Sequence, residues 1–203
     1  MNSFDNTTPH LSTEYDNQIL NTVPNYDQFH ISVVNIVKAM DTEPGIWLDT
    51  GAGTGTLVKN CIDIFPETRF IVADPSSEML TEAKNKLSGY EEDRVLFLNS
   101  AATKDIVLDP DIRPDVITAI QSHHYLKPDL RKASTKVCYE LLAEDGIFIT
   151  FENIRPFTEK GIELAKRNWG SYQLSRGKTY EQVTNHLARF DMEYFPITVE
   201  EHL

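Results

Sequence analysis

The stretch Trp47-Leu48-Asp49-Thr50-Gly51-Ala52-Gly53-Thr54-Gly55 decides the fold of this chain. A short apolar run ends in a carboxylate, three alternating glycines follow, and the pattern then becomes helical. This order predicts a strand that turns sharply into a helix. Glycines in such a turn let the backbone approach a ligand, and the helix N-terminus faces the same crevice. We expect the turn to bind a ligand; a glycine-rich turn without a ligand is the alternative.

The residues around this stretch alternate between strand and helix patterns. Short apolar runs bounded by turn residues predict five buried strands, at 46–49, 69–74, 95–99, 115–120 and 146–151. Helical patterns lie between them, at 54–64, 76–88, 101–107 and 128–143. Ser76 is the expected N-cap of one helix and Pro128 the expected first residue of another. The alternation predicts an α/β fold with a doubly wound, mostly parallel sheet and right-handed crossovers.

The flanking segments are predicted to be helical. Thr13 with Asp16 matches a capping box before a short helix that stops at Pro24. Beyond the fifth strand, two helices separated by a turn should cover the strand ends, and the last residues begin another capping box. We predict one domain over 1–203, with N-terminal helices in 12–44 (one of them at 25–40), a core at 45–152, and a cover at 153–203 whose helices span 156–169 and 178–190 around a turn at 170–173.

The composition is that of a globular domain, with 40% hydrophobic, 25% charged and 10% aromatic residues. No apolar stretch approaches the ~18 residues of a membrane span, and the first residues lack the features of a signal peptide. We therefore expect a soluble, cytoplasmic protein with no membrane partner. The net charge of -12 argues against bulk nucleic-acid binding. Cys61 and Cys138 are expected to be buried as small hydrophobic residues.

The glycine spacing distinguishes between ligands. Dinucleotide oxidoreductases use Gly-x-Gly-x-x-Gly, whereas the third glycine here comes one residue earlier and Asp49 precedes the first. A carboxylate at that point would repel a pyrophosphate and suits a cationic ligand. Asp74 ends the second strand, where a carboxylate accepts hydrogen bonds from ribose hydroxyls. Asp49 and Asp74 are therefore expected to frame one cleft; helix capping by Asp74 is the alternative.

These motifs resemble those of the class I S-adenosylmethionine-dependent methyltransferases, and the likeness covers residues 46–152. It rests on three segments: Asp49-x-Gly51-x-Gly53-x-Gly55, Asp74-Pro75-Ser76-x-x-Met79-Leu80 and Leu142-x-x-x-Gly146. The resemblance implies S-adenosylmethionine as cofactor and methyl transfer to a small-molecule acceptor. A catalytically silent nucleotide-binding module and a nicotinamide-dependent oxidoreductase are competing readings.

The resemblance also implies where the cofactor binds. Gly51 to Gly53 would line its methionine part, Asp74 its ribose, Met79 its adenine face, and Gln121 would lie beside the sulfonium. Ser100 stands in a segment where the family usually has Gly-Asp-Ala. The full predicted set is Tyr15, Asp49, Gly51, Ala52, Gly53, Gly55, Asp74, Pro75, Met79, Ser100, Ala101 and Gln121. Tyr15 packing on the core is an equal alternative.

Reacting groups are expected in the loops after the fourth and fifth strands. His123 is the predicted general base and His124 a structural histidine; adjacent histidines chelate poorly, so no metal site is expected. Glu152 and Arg155 either contact the acceptor or pair with each other. Aromatic residues of the cover either line an acceptor pocket or, more commonly, pack: Trp169, Tyr172 and Tyr180.

Two flanking pieces are similar to a narrower branch, the carboxy-S-adenosylmethionine synthases of transfer-RNA wobble-uridine modification. They are Tyr15-Asp16 and Val23-Pro24-Asn25-Tyr26, and Arg189 falls near the arginine that those proteins use for the extra carboxylate. Ordinary S-adenosylmethionine is the first choice and the carboxylated cofactor the alternative. The family usually adds an antiparallel hairpin after the fifth strand, and we do not expect residues 153–203 to supply one. Because an open edge strand tends to pair with another chain, we expect a homodimer or reduced stability.

Overall fold

One parallel sheet organises the chain in the computed structural model, which describes residues 6–202. Its strands are β1 (Ile46–Thr50), β2 (Arg69–Ala73), β3 (Val95–Phe97), β4 (Val116–Ile120) and β5 (Ile147–Phe151). Their order is β3-β2-β1-β4-β5, and each neighbouring pair is parallel. The predicted doubly wound α/β fold is confirmed. The order reverses between β1 and β4, and a ligand crevice forms beyond the carboxyl ends of strands at such a point.

Eight α-helices surround the sheet in the described part of the chain: α1 (Tyr15–Ile19), α2 (Tyr26–Lys38), α3 (Thr56–Cys61), α4 (Ser77–Leu87), α5 (Pro128–Leu141), α6 (Glu159–Ser175), α7 (Tyr180–Leu187) and α8 (Val199–His202). Short 3₁₀ turns occur at Ser12–Glu14, Thr103–Asp105 and His123–Tyr125. Ser76 caps α4 as predicted, accepting the Met79 N–H at 3.0 Å. Pro128 is the first residue of α5, also as predicted.

The core lies on both faces of the sheet, which explains the continuous apolar runs in the strands. Trp47 and Phe70 pack on one face with α2 and α3, while Leu48 and Ile117 pack on the other with α5. Cys61 and Cys138 are buried and unbridged, as predicted. No helix within residues 6–202 is long and apolar enough to cross a membrane.

Two flanking predictions are wrong. The turn expected at 170–173 lies within the continuous helix α6. A Cβ on Gly170 would lie 3.2 Å from side-chain atoms of Val183 and Leu187, so the small residue lets α6 and α7 pack closely. The Thr13 and Asp16 capping box does not form, because the Asp16 carboxylate instead contacts residues at the start of α3.

The segment after β5 partly follows the sheet. Ile154 forms an isolated parallel bridge with Ile197, and the Arg155 N–H donates to the Ile197 carbonyl at 2.8 Å. The capping box at the chain end forms as predicted: Thr198 and Glu201 exchange hydrogen bonds around the first turn of α8. In residues 6–202, no strand pairs with the outer edge of β5.

Candidate functional site

A cavity of about 470 Å³ lies at the carboxyl ends of β1, β2 and β4. Its walls are the glycine turn after β1, the turn after β2 and the turn after β4, and the N-terminal helices form its roof. Ten residues predicted from the sequence line it: Tyr15, Asp49, Gly51, Ala52, Gly53, Asp74, Pro75, Met79, Gln121 and His123. The structure thus brings most of the predicted set into one space.

Gly51 is where the turns after β1 and β4 meet. Its φ of +65° lies in the left-handed region, and a Cβ there would lie 2.4 Å from the Ser122 Cβ. A side chain would therefore force the two turns apart. Gln121, next to Ser122, also has a positive φ, +53°, which is uncommon for a residue with a side chain. Such conformations concentrate at functional sites.

Three predicted residues do not line the cavity. Gly55 faces α4, because a Cβ there would lie 3.0 Å from the Ala83 Cβ. The Ser100 hydroxyl donates to the Pro75 carbonyl, and the Ala101 N–H donates to the Asp74 carbonyl at 3.2 Å. Both residues therefore brace the turn after β2 from outside. β3 ends at Phe97, two residues before the predicted end, and the cavity wall is instead formed by Ala102 and Thr103.

The Asp74 carboxylate joins the glycine turn to α4. One oxygen accepts the Gly53 N–H at 2.8 Å, and the other accepts the Ser76 N–H at 2.8 Å. Burial raises the pKa of Asp74, and these two hydrogen bonds oppose the rise. A carboxylate offers about four lone-pair sites, so both oxygens can still accept from a ligand.

Asp49 lies at the end of β1 and is 2% exposed. The Thr118 hydroxyl of β4 donates to its carboxylate at 2.7 Å. Burial raises the pKa of Asp49 to about 7; the nearby negative charge of Asp74 adds to the rise, and the Thr118 hydrogen bond opposes it. A positive ligand charge in the cavity would favour the ionised form.

The roof contains residues that the sequence analysis missed. Tyr26 and His30 of α2 line the cavity, and so does Tyr125 of the turn after β4. The Tyr26 and His30 rings meet edge to face, with centroids 5.2 Å apart. Burial and the positive charge of Lys86 lower the pKa of His30 to about 4, so its imidazole is neutral near pH 7. The helical spacing of Tyr26 and His30 is the sequence signal that they share a face.

Asp16 holds α1 over the glycine turn. Its carboxylate accepts from the Thr54 hydroxyl at 2.6 Å and the Thr56 hydroxyl at 2.9 Å. The Lys86 ammonium of α4 lies 2.6 Å from the same carboxylate. This arrangement places Tyr15, the residue before Asp16, over the cavity, where its hydroxyl lies 3.5 Å from that of Tyr26.

The two histidines after β4 have different surroundings. Glu152 accepts the backbone N–H groups of both His123 and His124, and its carboxylate lies 2.6 Å from the His124 Nδ1. His124 is therefore held structurally, as predicted. The His123 ring packs near Phe148, with centroids 6.1 Å apart, and its Nε2 is buried without a hydrogen-bond partner. Burial lowers the pKa of His123, and its role as general base stays a prediction.

Of the two alternatives for Glu152 and Arg155, pairing with each other is not what the structure shows, because Arg155 pairs with Asp191 at 2.6 Å. Glu152 does not line the main cavity.

The cover aromatics do not line the main cavity. Trp169 donates its indole N–H to the Thr22 carbonyl, Tyr172 donates its hydroxyl to the Leu20 carbonyl at 2.6 Å, and Tyr180 is 79% exposed. Trp169 and Tyr172 thus pack α6 on the N-terminal segment. Within residues 6–202, no three His, Cys, Asp or Glu side chains are arranged to hold a metal ion.

Arg189 lies between the cover and the N-terminal segment. Its Nη2 donates to the Thr7 carbonyl at 2.7 Å and its Nε to Glu193 at 2.6 Å, while Nη1 is buried without a partner. Thr7 lines the cavity. The guanidinium therefore adjoins the cavity wall, and neither N–H of its Nη1 is used.

Comparison with known proteins gives a consistent result. A methyltransferase-domain family model matches residues 48–148. The chain is 22% identical to a carboxy-S-adenosyl-L-methionine synthase of Nautilia profundicola, over 95% of this chain and 80% of that protein. It is 27% identical to a malonyl-[acyl-carrier protein] O-methyltransferase of Halalkalibacterium halodurans, over 78% of this chain and 59% of that protein.

The solved structures agree. An S-adenosylmethionine-dependent methyltransferase from Clostridium acetobutylicum superposes with a TM-score of 0.53 at 26% identity, covering 70% of this chain and 56% of that one. The chain spans about half the length of such solved structures; it covers 51% of the length of a second methyltransferase structure.

Proposed function

Since this chain is a class I S-adenosylmethionine-dependent methyltransferase, we propose that it methylates a small-molecule acceptor bound beneath α1 and α2. The observation that carries the proposal is the meeting of Asp49 and Asp74 in one cavity together with the glycine turn. A cavity of about 470 Å³ lies within the ~300–1,000 Å³ range of small-molecule sites.

The residues of the cavity suit this cofactor. Asp74 keeps lone pairs free for the ribose hydroxyls while the glycine turn holds it in place. Met79 is 2% exposed at the cavity wall and offers an apolar surface for the adenine. Asp49 supplies negative charge for a cationic ligand, and Gly51 lets the backbone approach closely.

The bound cofactor supplies an activated methyl group on a sulfonium, so the protein's principal task is alignment. Alignment alone can supply ~7–11 kcal/mol of the barrier. Tyr15, Tyr26 and Tyr125 present phenol groups in the cavity, and neutral His30 adds an imidazole. These groups orient an acceptor by hydrogen bonds. His123 would take a proton where the acceptor must lose one before attack.

The test is a methyl-transfer assay with S-adenosylmethionine and a pool of small metabolites, read by mass spectrometry. We expect stoichiometric S-adenosylhomocysteine and a product heavier by one methylene unit. The matched control is Thr68→Val, a fully buried residue at the opposite end of the sheet. If the cofactor binds but no metabolite in a broad screen is methylated, the silent nucleotide-binding module is favoured instead.

A second candidate is carboxy-S-adenosylmethionine chemistry. Arg189 favours it, because its unused buried Nη1 beside Thr7 could receive an extra carboxylate. The name of the Nautilia relative points the same way. Mass spectrometry of any nucleotide that copurifies separates the two: the carboxylated cofactor, lost in Arg189→Ala, supports the second candidate, and ordinary S-adenosylmethionine supports the first.

A further inference from the structure

Three buried side chains form a hydrogen-bonded chain that ends at the cavity. The Trp47 indole Nε1 donates to the Thr118 hydroxyl at 3.0 Å, and Thr118 donates to Asp49 at 2.7 Å. Trp47 and Thr118 are 0% exposed and Asp49 is 2% exposed. This series of hydrogen bonds therefore runs from β1 to β4 and back to β1, beneath the floor of the cavity.

The donor-to-acceptor direction of these hydrogen bonds follows from the chemistry of indole. An indole N–H is a donor only, so the Thr118 oxygen must accept from it. The hydroxyl proton of Thr118 is then free for Asp49 at 2.7 Å, while its other neighbour, the Leu48 carbonyl, lies at 3.5 Å. The hydroxyl thus presents its proton to the carboxylate, an arrangement that favours the ionised form.

Burial and the like charge of Asp74, in the turn after β2, oppose the ionisation of Asp49. The Tyr26 phenol of α2 and the Cys61 thiol of α3 face Asp49 as neutral groups, because burial and the Asp49 charge raise the pKa of both. Among residues 6–202, Thr118 is the only side-chain or backbone donor bonded to the Asp49 carboxyl. Ionised Asp49 therefore depends on this one hydroxyl.

We propose that Trp47 and Thr118 are positioning residues, which hold Asp49 ionised and oriented for the cationic cofactor. This inference rests on the proposed function, because it assigns Asp49 to the cofactor. Neither residue touches the ligand: neither lines the cavity. Their effect is exerted through the protonation state of Asp49.

The test separates this role from simple packing. Thr118→Val removes the donor and keeps the shape; Thr118→Ser keeps the donor. The first measurement is a ¹³C NMR titration of the Asp49 carboxyl carbon in the free protein. We expect a midpoint about one pH unit higher in Thr118→Val and an unchanged midpoint in Thr118→Ser.

The second measurement is calorimetric titration with S-adenosylmethionine between pH 6 and 9. We expect about tenfold weaker binding by Thr118→Val at pH 7, with affinity recovering at higher pH, and nearly normal binding by Thr118→Ser. Thr68→Val controls for the loss of any buried threonine hydroxyl.

An unchanged Asp49 midpoint in Thr118→Val overturns the positioning role, and so does equal weakening by Thr68→Val. If Thr118→Val does not fold, Trp47→Phe is the second variant. Without the indole donor, the Thr118 hydroxyl is free to turn away from Asp49, so the Asp49 midpoint should rise by a smaller amount than in Thr118→Val. No rise in Trp47→Phe overturns the proposal. Wild-type protein that shows no binding of S-adenosylmethionine contradicts the proposed function itself, whereas a normal wild type with an indifferent Thr118→Val contradicts only the positioning role.

Discussion

The Gly53 N–H donates to the Asp74 carboxylate at 2.8 Å, so the glycine turn after β1 is tied to the end of β2. The other Asp74 oxygen accepts from Ser76 at the start of α4. One carboxylate thus holds two walls of the cavity in a fixed relation before any ligand binds. Preorganisation of this kind lowers the cost of ordering the site on binding.

Replacement of Asp74 should loosen both turns. Asp74→Ala leaves the Gly53 and Ser76 N–H groups without their acceptor, which should lower the free energy of unfolding by about 2–4 kcal/mol. Urea unfolding measures the loss. Ser77→Ala, in the neighbouring turn, is the control, and equal stability of Asp74→Ala and wild type would show that the carboxylate is not holding the turns.

Asp49 should make stability depend on pH. Burial raises its pKa from 3.8 to about 7, so the unfolded chain releases this proton first and the fold loses stability as pH rises between those values. Asp49→Asn should therefore gain stability over wild type between pH 4 and pH 8, on the order of 2–4 kcal/mol. Urea unfolding at both pH values tests this, and a variant whose difference from wild type is the same at both contradicts it.

Gly51 and Gly53 offer a matched pair. Both have positive φ, but a Cβ at Gly51 meets Ser122 at 2.4 Å while a Cβ at Gly53 meets nothing within 4 Å. Gly53→Ala should cost about 1 kcal/mol for the backbone alone, and Gly51→Ala about 2–4 kcal/mol because of the added clash. Thermal melting compares them directly. Equal losses would mean that the turns after β1 and β4 do not pack as described.

The ion pair between Asp16 and Lys86 should hold α1 in place over the cavity. The pair is partly exposed, so its loss should change global stability by only about 0–1 kcal/mol. Lys86→Met should nevertheless speed amide hydrogen exchange in α1 several-fold. Lys136→Met, which removes an exposed pair with Glu140 on α5, is the control. Unchanged exchange in α1 would show that other contacts hold it.

The outer edge of β5 should pair with a second copy of the chain. Ile147 donates to Asp115 and Phe151 accepts from Gln121, so the backbone groups of Phe148 and Thr150 face outward. Thr150→Pro removes one outward N–H without breaking the ladder with β4. Light scattering should show a dimer for wild type and a monomer for this variant; a stable wild-type monomer contradicts the prediction.

The sheet was predictable because its signals are local. The buried strands and the turn at Gly51 are each indicated by a run of a few residues. Ser76 and Pro128 mark helix starts because their types are favoured there, Ser as an N-cap and Pro as a first helical residue. The site was predictable where motif and strand end coincide, as at Asp49 and Asp74.

The remainder depended on contacts between distant residues. Asp16 fits a local capping box equally well, but its partner Lys86 lies 70 residues away. A turn was predicted around Gly170 because the local sequence does not indicate the packing of this residue against α7. Ser100 and Ala101 were placed in the cavity because they occupy the segment where the resembling family usually has Gly-Asp-Ala, but β3 ends at Phe97, two residues earlier than predicted. His30 went unnoticed because its burial against Tyr26 is a tertiary property.

The most direct test of the account is calorimetric titration of S-adenosylmethionine into wild type, Asp74→Ala and the control Thr68→Val at pH 8. We expect one binding site in wild type and control, and a loss of at least tenfold in affinity in Asp74→Ala. Undiminished binding by folded Asp74→Ala, or no heat with the wild type, would contradict it.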